Sequence, residues 1–312
     1  MAFPAAPGYG NLPNGNFSPT IFSQKALKAF RKVSVVEDIT NTDYFGEIAN
    51  YGDSVRIIKE PDVTVVSYAR GQQLIPQDLL DDELSMTVDQ ANAFSFLVDD
   101  IEQKHSHVNF ETLASNRAAY KLKDTFDSHI LNHMAVNAGI VSGLGTTSAA
   151  IEVRTGATGA TEFTPLSIMN RVSRLMDQAN IPEDGRFWVA DPIFWEQMGD
   201  ENSKLINRDF VADGDMLRNG RVTANRIRNF TCYKSNNLPV GGTGSAATSG
   251  GTNYGTIVVG HMSSTATVSQ IAKTETIRSP DTFADVVRGL HLFGRKVIRP
   301  EALATVRWQV GS

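Results

Sequence analysis

The chain has 312 residues, 41% of them hydrophobic and 20% charged, which is enough for one large core or two modest ones and excludes wholesale disorder. Its net charge of −5 excludes a protein that wraps nucleic acid with a basic surface of its own, and its single cysteine, Cys232, excludes an intrachain disulfide framework. No run approaches the roughly 18 to 20 apolar residues needed to span a bilayer, and the opening MAFPAAPGYGNLPNG lacks the basic and apolar regions of a secretory signal.

In chain order, residues 1–20 are rich in Gly, Pro and Asn with scattered aromatics, a composition that cannot nucleate a core and reads as an extended arm. Ile21, Leu27, Phe30 and Val33 then recur at helical spacing. Next, GDSVRI alternates, DVTVVSY is β-branched and LSMTVDQANAFSFLV alternates again, with Gly and Pro at the breaks. This predicts a long two-stranded excursion with an acidic middle and too little apolar surface to be stable alone. Residues from about Gly52 to Phe94 are therefore expected to be mobile in a free copy and ordered only against something else.

Phe110, Leu113, Ala114, Ala118, Leu122, Phe126, Ile130 and Met134 follow steps of three and four and predict one long helix to Asn137, stopped at Gly139. Some 28 residues span roughly 40 Å. A Gly/Ser/Thr-rich stretch up to Phe163 follows as a candidate domain boundary. Thr164 as N-cap and Pro165 at the first position open a helix with an apolar stripe of Met169, Val172, Leu175, Met176 and Ala179. RFWVA reads as a buried strand, and Asp191 and Pro192 open a short helix after it. VTANRIRNFTCYKSNNLP reads as an antiparallel pair holding Cys232 as a buried, unreactive thiol. NYGTIVVGH is a strand, and further strands with a possible short helix close the chain. Segregated strands and helices make this an α+β fold.

Motifs that could carry chemistry are incomplete. His129 and His133 share one face of the long helix, but a zinc hydrolase would have Glu beside the first His, where Ile130 stands. His105 and His107 read as a solvated turn, and His261 and His291 as satisfied polar groups among apolar strand residues. Gly143 and Gly145 lack the Lys and apolar helix of a phosphate loop, and no GxSxG elbow occurs. Asp99 and Asp100 are adjacent and so point to opposite faces of a strand. Neither catalytic residues nor cofactor or metal sites are expected.

Charge is unevenly placed. From Glu37 to Gln103 there are 15 acidic residues against Arg56, Lys59 and Arg70, a net of −12. From Arg218 to Arg307 there are 12 basic residues against Glu275, Asp281, Asp285 and Glu301, a net of +8. Either these are two solvated faces, or one copy's acidic segment lies on another's basic segment. The second reading nominates Asp78, Asp81, Asp82 and Glu83 against Arg288, Arg295, Lys296 and Arg299.

The order of segments resembles the major capsid proteins of tailed bacteriophages, the Hong Kong 97-type fold. ALKAFRKVSVVEDITNTDYFGEI followed by GDSVRI is similar to that family's amino-terminal helix leading into its extended loop. TVVSYARGQQLIPQDL and LSMTVDQANAFSFLVDDIEQ are similar to the two sides of the loop, and SNRAAYKLKDTFDSHIL to the spine helix. IPEDGRFWVADPIFWEQM and FTCYKSNNLP resemble axial-domain segments, and VVRGLHLFGRKVIRPEAL the closing strands. The resemblance implies an amino-terminal arm (1–25), an amino-terminal helix region (26–51), an extended β-hairpin loop (52–100), a peripheral domain with the spine helix (101–155 and 255–312) and an axial domain (156–254). It implies hexamers and pentamers of a shell around double-stranded DNA, assembled in a host cytoplasm. Separate scaffolding, portal and cement proteins would be the partners, with no membrane. Some relatives carry a scaffolding segment ahead of the shell domain; this chain begins almost at the shell, so the expected scaffold is either a separate protein or a segment already absent. Some crosslink neighbours through Lys and Asn; nothing marks Lys59 for that role. The alternatives are a cellular nanocompartment shell of the same fold, enclosing enzymes, and a metal-dependent hydrolase built on His129 and His133.

Overall fold

The computed structural model describes residues 34–43, 54–58, 63–73, 76–77, 83–99, 110–146, 149–154, 162–199, 217–218, 221–222, 226–241, 255–270, 274–280 and 282–310. A single helical turn, α1 (Val36–Ile39), buries Val36 and Ile39. The helical reading of 21–33 before it lies outside the described residues. β1 (Ser54–Ile58) and β2 (Glu83–Thr87) pair antiparallel, Ser54 opposite Thr87 and Ile58 opposite Glu83, as two sides of an excursion would.

DVTVVSY was expected as a strand and is not one: residues 63–69 carry no strand. β-branched side chains favour a pleated surface only where a neighbouring strand completes the ladder, and no described strand pairs with this one. A tight turn follows, with Gln72 N–H donating to Ala69 O at 2.9 Å and Gly71 at φ +87°. β3 (Gln90–Asp99) leaves the excursion and pairs with residues 284–293.

The long helix is present as α2 (Phe110–Val136). Its carboxyl-terminal half buries Phe126, Ile130, Leu131, Met134 and Ala135, whereas Ala118 and Leu122 are only half-buried. Gly139 is required beyond its end by contact: its N–H donates to Pro300 O at 2.8 Å, and a Cβ would lie 2.5 Å from that oxygen.

β4 (Ile151–Val153) and β5 (Glu162–Phe163) lead to α3 (Pro165–Gln178). Thr164 Oγ1 accepts from Ser167 N–H at 3.2 Å and Pro165 takes the first turn, as its sequence predicts. The buried stripe is Ile168, Met169, Val172 and Met176; Leu175 is half-buried and Ala179 exposed, so the face is turned towards Ile168. β6 (Arg186–Ala190) is buried throughout, and Asp191 caps α4 (Pro192–Met198) by accepting from Phe194 N–H at 3.1 Å. β7 (Leu217–Arg218) and β8 (Arg221–Val222) form a minimal pair. β9 (Arg226–Ile227) and β10 (Phe230–Lys234) form a hairpin across Arg228 and Asn229, whose φ of +51° and +67° suit a tight two-residue turn. β11 (Gly255–His261), β12 (Thr265–Gln270), β13 (Thr274–Arg278), β14 (Ala284–Val297) and β15 (Leu303–Val310) complete the chain.

Seven strands form the central mixed sheet in the order β5-β4-β15-β11-β6-β10-β9. The unbroken apolar runs of β6 and β11 follow from burial on both faces. One face packs Trp188, Ile257, Val259, Ala304, Val306 and Trp308 against Met169, Val172, Met176 and Phe194 of α3 and α4. The other packs Phe187, Val189, Val258 and Leu303 against Ile130, Leu131 and Met134 of α2 and Val36 and Ile39 of α1. In a second sheet β3 takes one side of β14 while β12 and β13 share the other. β11 and β15, from 255–312, thus run in one sheet with β6, β9 and β10 from 156–254, and β3, from 52–100, belongs to the sheet of β14. No described helix is long and apolar enough to cross a membrane.

Candidate assembly surface

Asp127 joins three parts of the fold, and the sequence reading did not single it out. It is fully buried on α2, and its Oδ1 accepts from Ser34 Oγ, Val35 N–H and Val36 N–H, each at 3.0 Å. Its Oδ2 accepts from Asn237 Nδ2 at 2.9 Å. A carboxylate that caps the entry to α1 and holds the segment after β10 fixes how both lie on α2. The available signal was spacing: 127, 130, 131 and 134 share one helix face.

The β14 sheet has two unlike faces. Facing α2, the Phe94 ring lies over Gly289, where a Cβ would overlap it, and Phe96 stands opposite Val287. An apolar cavity of about 460 Å³ remains there, lined by Phe94, Leu122, Phe126, Gly289 and His291. On the outer face, register puts Leu97, Val286 and Ile277 in one row across β3, β14 and β13. Leu97, Ile277 and Leu290 are exposed there, and Phe283, at the turn into β14, is 81% exposed. The segment before the Gly71 turn exposes Val63, Val66 and Tyr68, with Val65 at 92%. Apolar rows this exposed mark surfaces that meet other molecules.

The nominated charges are dispersed. Asp78, Asp81 and Asp82 lie outside the described residues. Glu83 is 3.3 Å from Arg56 across the β1–β2 pair. Arg288 donates to Glu275 Oε2 through Nε at 3.2 Å and Nη2 at 2.8 Å. Seven residues further along β14, about 23 Å at strand rise, Arg295 contacts His129 Nδ1, and Lys296 stands close enough to act on His133. Arg299 is exposed beyond the strand. The structure therefore brings Arg295 and Lys296 together and leaves Arg288 apart from them.

The two helix histidines that could have suggested zinc face cations. Burial lowers the pKa of His129, helped by Arg295. His133 is lowered to about 4 by burial, Arg295 and Lys296, against the opposing pull of Asp89. Among the described residues no three His, Cys, Asp or Glu side chains converge on a metal-sized site. His261 is bonded at both nitrogens, Nδ1 to Ser263 Oγ and Nε2 to Asp184 O, each at 2.8 Å. His291 Nε2 meets Ser269 Oγ at 2.6 Å, and burial lowers its pKa. Cys232 is largely enclosed, and burial pushes its thiol up to about 11, so it is a poor nucleophile at neutral pH.

The whole chain is similar in fold to solved phage structures. Mycobacterium phage Che8 matches with a TM-score of 0.74 and 24% identity over 93% of this chain and 97% of that chain. The capsid of cyanophage P-SCSP1u matches at 0.70 and 18% identity, over 96% and 94% of the two chains. The mature capsid of bacteriophage PhiM1 matches at 0.64 and 18%, over 94% and 91%. At these identities the likeness establishes the fold, which is of the Hong Kong 97 type. None of the curated proteins compared with the chain matches it. The profile of the phage capsid protein family matches residues 82–306, from the start of β2 to within β15. With well over half of its length matched, the chain belongs to the phage capsid protein family.

Proposed function

We propose that copies of this major capsid protein close into an icosahedral head shell of hexamers and pentamers around double-stranded DNA. The chain is a structural component of the virion. The family match over 82–306 carries this reading. The exposed Leu97 and Ile277, and Leu290 beyond the Arg288–Glu275 pair, support it, because a lone subunit would leave these apolar side chains in water. The division expected at 101–155 with 255–312 against 156–254 is redrawn in this reading, because β11 and β15 pair into the sheet of β6 and β10: β3, α2 and β12–β14 act as the peripheral part, and the seven-stranded sheet with α3 and α4 as the axial part.

Within the shell, the acidic run of Asp78, Asp81, Asp82 and Glu83 meets Arg295, Lys296 and Arg299 of another copy. Arg288, already engaged by Glu275, takes a smaller share. Single exposed pairs contribute only about 0 to 1 kcal/mol, so the effect arises by repetition over the shell. The test is a charge swap in the full-length protein. The D78K/D81K/D82K protein and the R295E/K296E/R299E protein should each assemble poorly at low salt, and mixing them should restore part of the yield. Normal assembly of either variant alone would remove the pairing from the account.

A further inference from the structure

The contact between α2 and β14 is chemically unusual where His129 and His133 lie. Arginine has donors only, so the contact of Arg295 Nη1 with His129 Nδ1 requires that nitrogen to carry its lone pair. His133 Nδ1 lies 3.2 Å from Asn137 Nδ2, an amide nitrogen that also donates to His133 O at 2.8 Å. Both rings therefore turn an acceptor towards a donor and are neutral. Arg295 shares this half-buried seam with them, Lys296, its neighbour on the other face of β14, acts on His133 from further off, and Asp89, in the link between β2 and β3, is the carboxylate that acts on both histidines. Other charged side chains on the two elements have partners of their own: Lys121 meets Asp124, Lys123 meets Glu37, Asp285 meets Arg278 and Arg288 meets Glu275. Asp127 on α2 is held by Ser34, the α1 backbone and Asn237, and His291 on β14 is held by Ser269. The seam is short of negative charge and contains two bases able to take up protons.

We infer that this seam, formed by His129, His133 and Arg295 with Lys296 nearby, is a proton-linked docking site for carboxylate side chains of a second copy. The inference rests on the acid-to-base pairing proposed above and adds its regulation. The occupant is argued from charge: residues 37–103 of every copy carry a net −12, so a second copy brings a high local concentration of carboxylates.

The sign follows from linkage. In the free subunit the cations and burial hold His133 near 4, so it stays neutral above about pH 5. A docked carboxylate offsets Arg295 and Lys296 but not burial, the largest cause, so it raises the imidazole part of the way from about 4 towards its ordinary 6.5. The docked state then binds more protons than the free state between those two values, and docking tightens as pH falls through that window. A full return to 6.5 sets the ceiling on the gain between pH 7.5 and pH 5.5, about tenfold per seam. Partner aspartates and glutamates, with pKa values of about 3.9 and 4.3, keep most of their charge over that range.

The experiment measures assembly of the full-length protein by light scattering from pH 5.5 to 7.5, at low and high salt. It compares the natural chain with H129Q/H133Q, in which glutamine keeps polarity but cannot titrate. The natural chain should gain on acidification, by up to about tenfold per seam, and the double variant should lack that gain whatever its level at pH 7.5. An equal gain in both overturns the proton linkage while leaving the charge pairing intact. If R295E/K296E/R299E assembles like the natural chain, the pairing itself fails.

A second measurement does not depend on how the variant folds. Calorimetric titration of unassembled natural subunits with a peptide of residues 76–84, in two buffers of different ionisation heat at pH 5.5, should show net proton uptake. Binding without uptake, or no binding, contradicts the inference. Proton uptake with a short DNA duplex but none with the peptide would overturn the choice of a second copy as occupant.

Discussion

Asp127 shows how one side chain can hold distant parts of a fold in register. Four donors converge on it from residues 34–36 and 237, three of them in buried bonds and Ser34 half-buried. Removing the acceptor leaves the buried donors without partners, each worth about 1–3 kcal/mol. Asp127→Ala should therefore destabilise the subunit by about 3–5 kcal/mol. Asp127→Asn, which keeps one acceptor but turns an amide towards a donor, should cost about 1–3 kcal/mol. Urea unfolding of unassembled subunits reads both values; an alanine variant within 1 kcal/mol of the natural chain would show that the four bonds do not hold α1 to α2. This hub was not legible in advance because its partners lie 92 and 110 positions away, and a lone Asp on a helix is ordinarily solvated. By contrast, the Thr164 and Asp191 caps were legible, because each acts on an amide three residues on.

At the level of elements, most segments form the element their pattern predicts, Gln90–Asp99, Arg186–Ala190 and Gly255–His261 included, but which strand pairs with which was not read. The length of α2 follows from its own periodicity, but among its described side chains the fully buried ones begin at Phe126. Residues 63–69 have strand propensity and no strand partner, whereas Gln90–Asp99 has a ten-residue partner in β14 that nothing local foretold. This contrast predicts a graded response to hydrogen exchange. In unassembled subunits the amides of 63–69 should exchange within seconds, while those of β3 and β14 should be protected by their ladder. In shells 63–69 should slow by at least tenfold as neighbours cover Val65 and Tyr68. Equal exchange of 63–69 in both states would mean that another copy does not cover this segment.

For the molecule as a whole, a doubly buried central sheet gives a subunit that is stable in its own right, while the outer face of the β14 sheet exposes Leu97, Ile277 and Leu290 to water. The charge split, −12 over residues 37–103 against +8 over 218–307, is poor design for a monomer and useful in a lattice of identical copies, where each meets the complement of its own surface. Salt then tunes assembly, since screening limits these attractions to about 8 Å at physiological ionic strength, and acidification strengthens it through the histidine seam. The central claim is that copies of this chain build the head shell. Electron microscopy of the purified full-length protein at low salt tests it most directly. The account predicts closed shells, or rings of five and six subunits that convert to shells on acidification to pH 5.5; a population of monomers at high concentration across both conditions would contradict it.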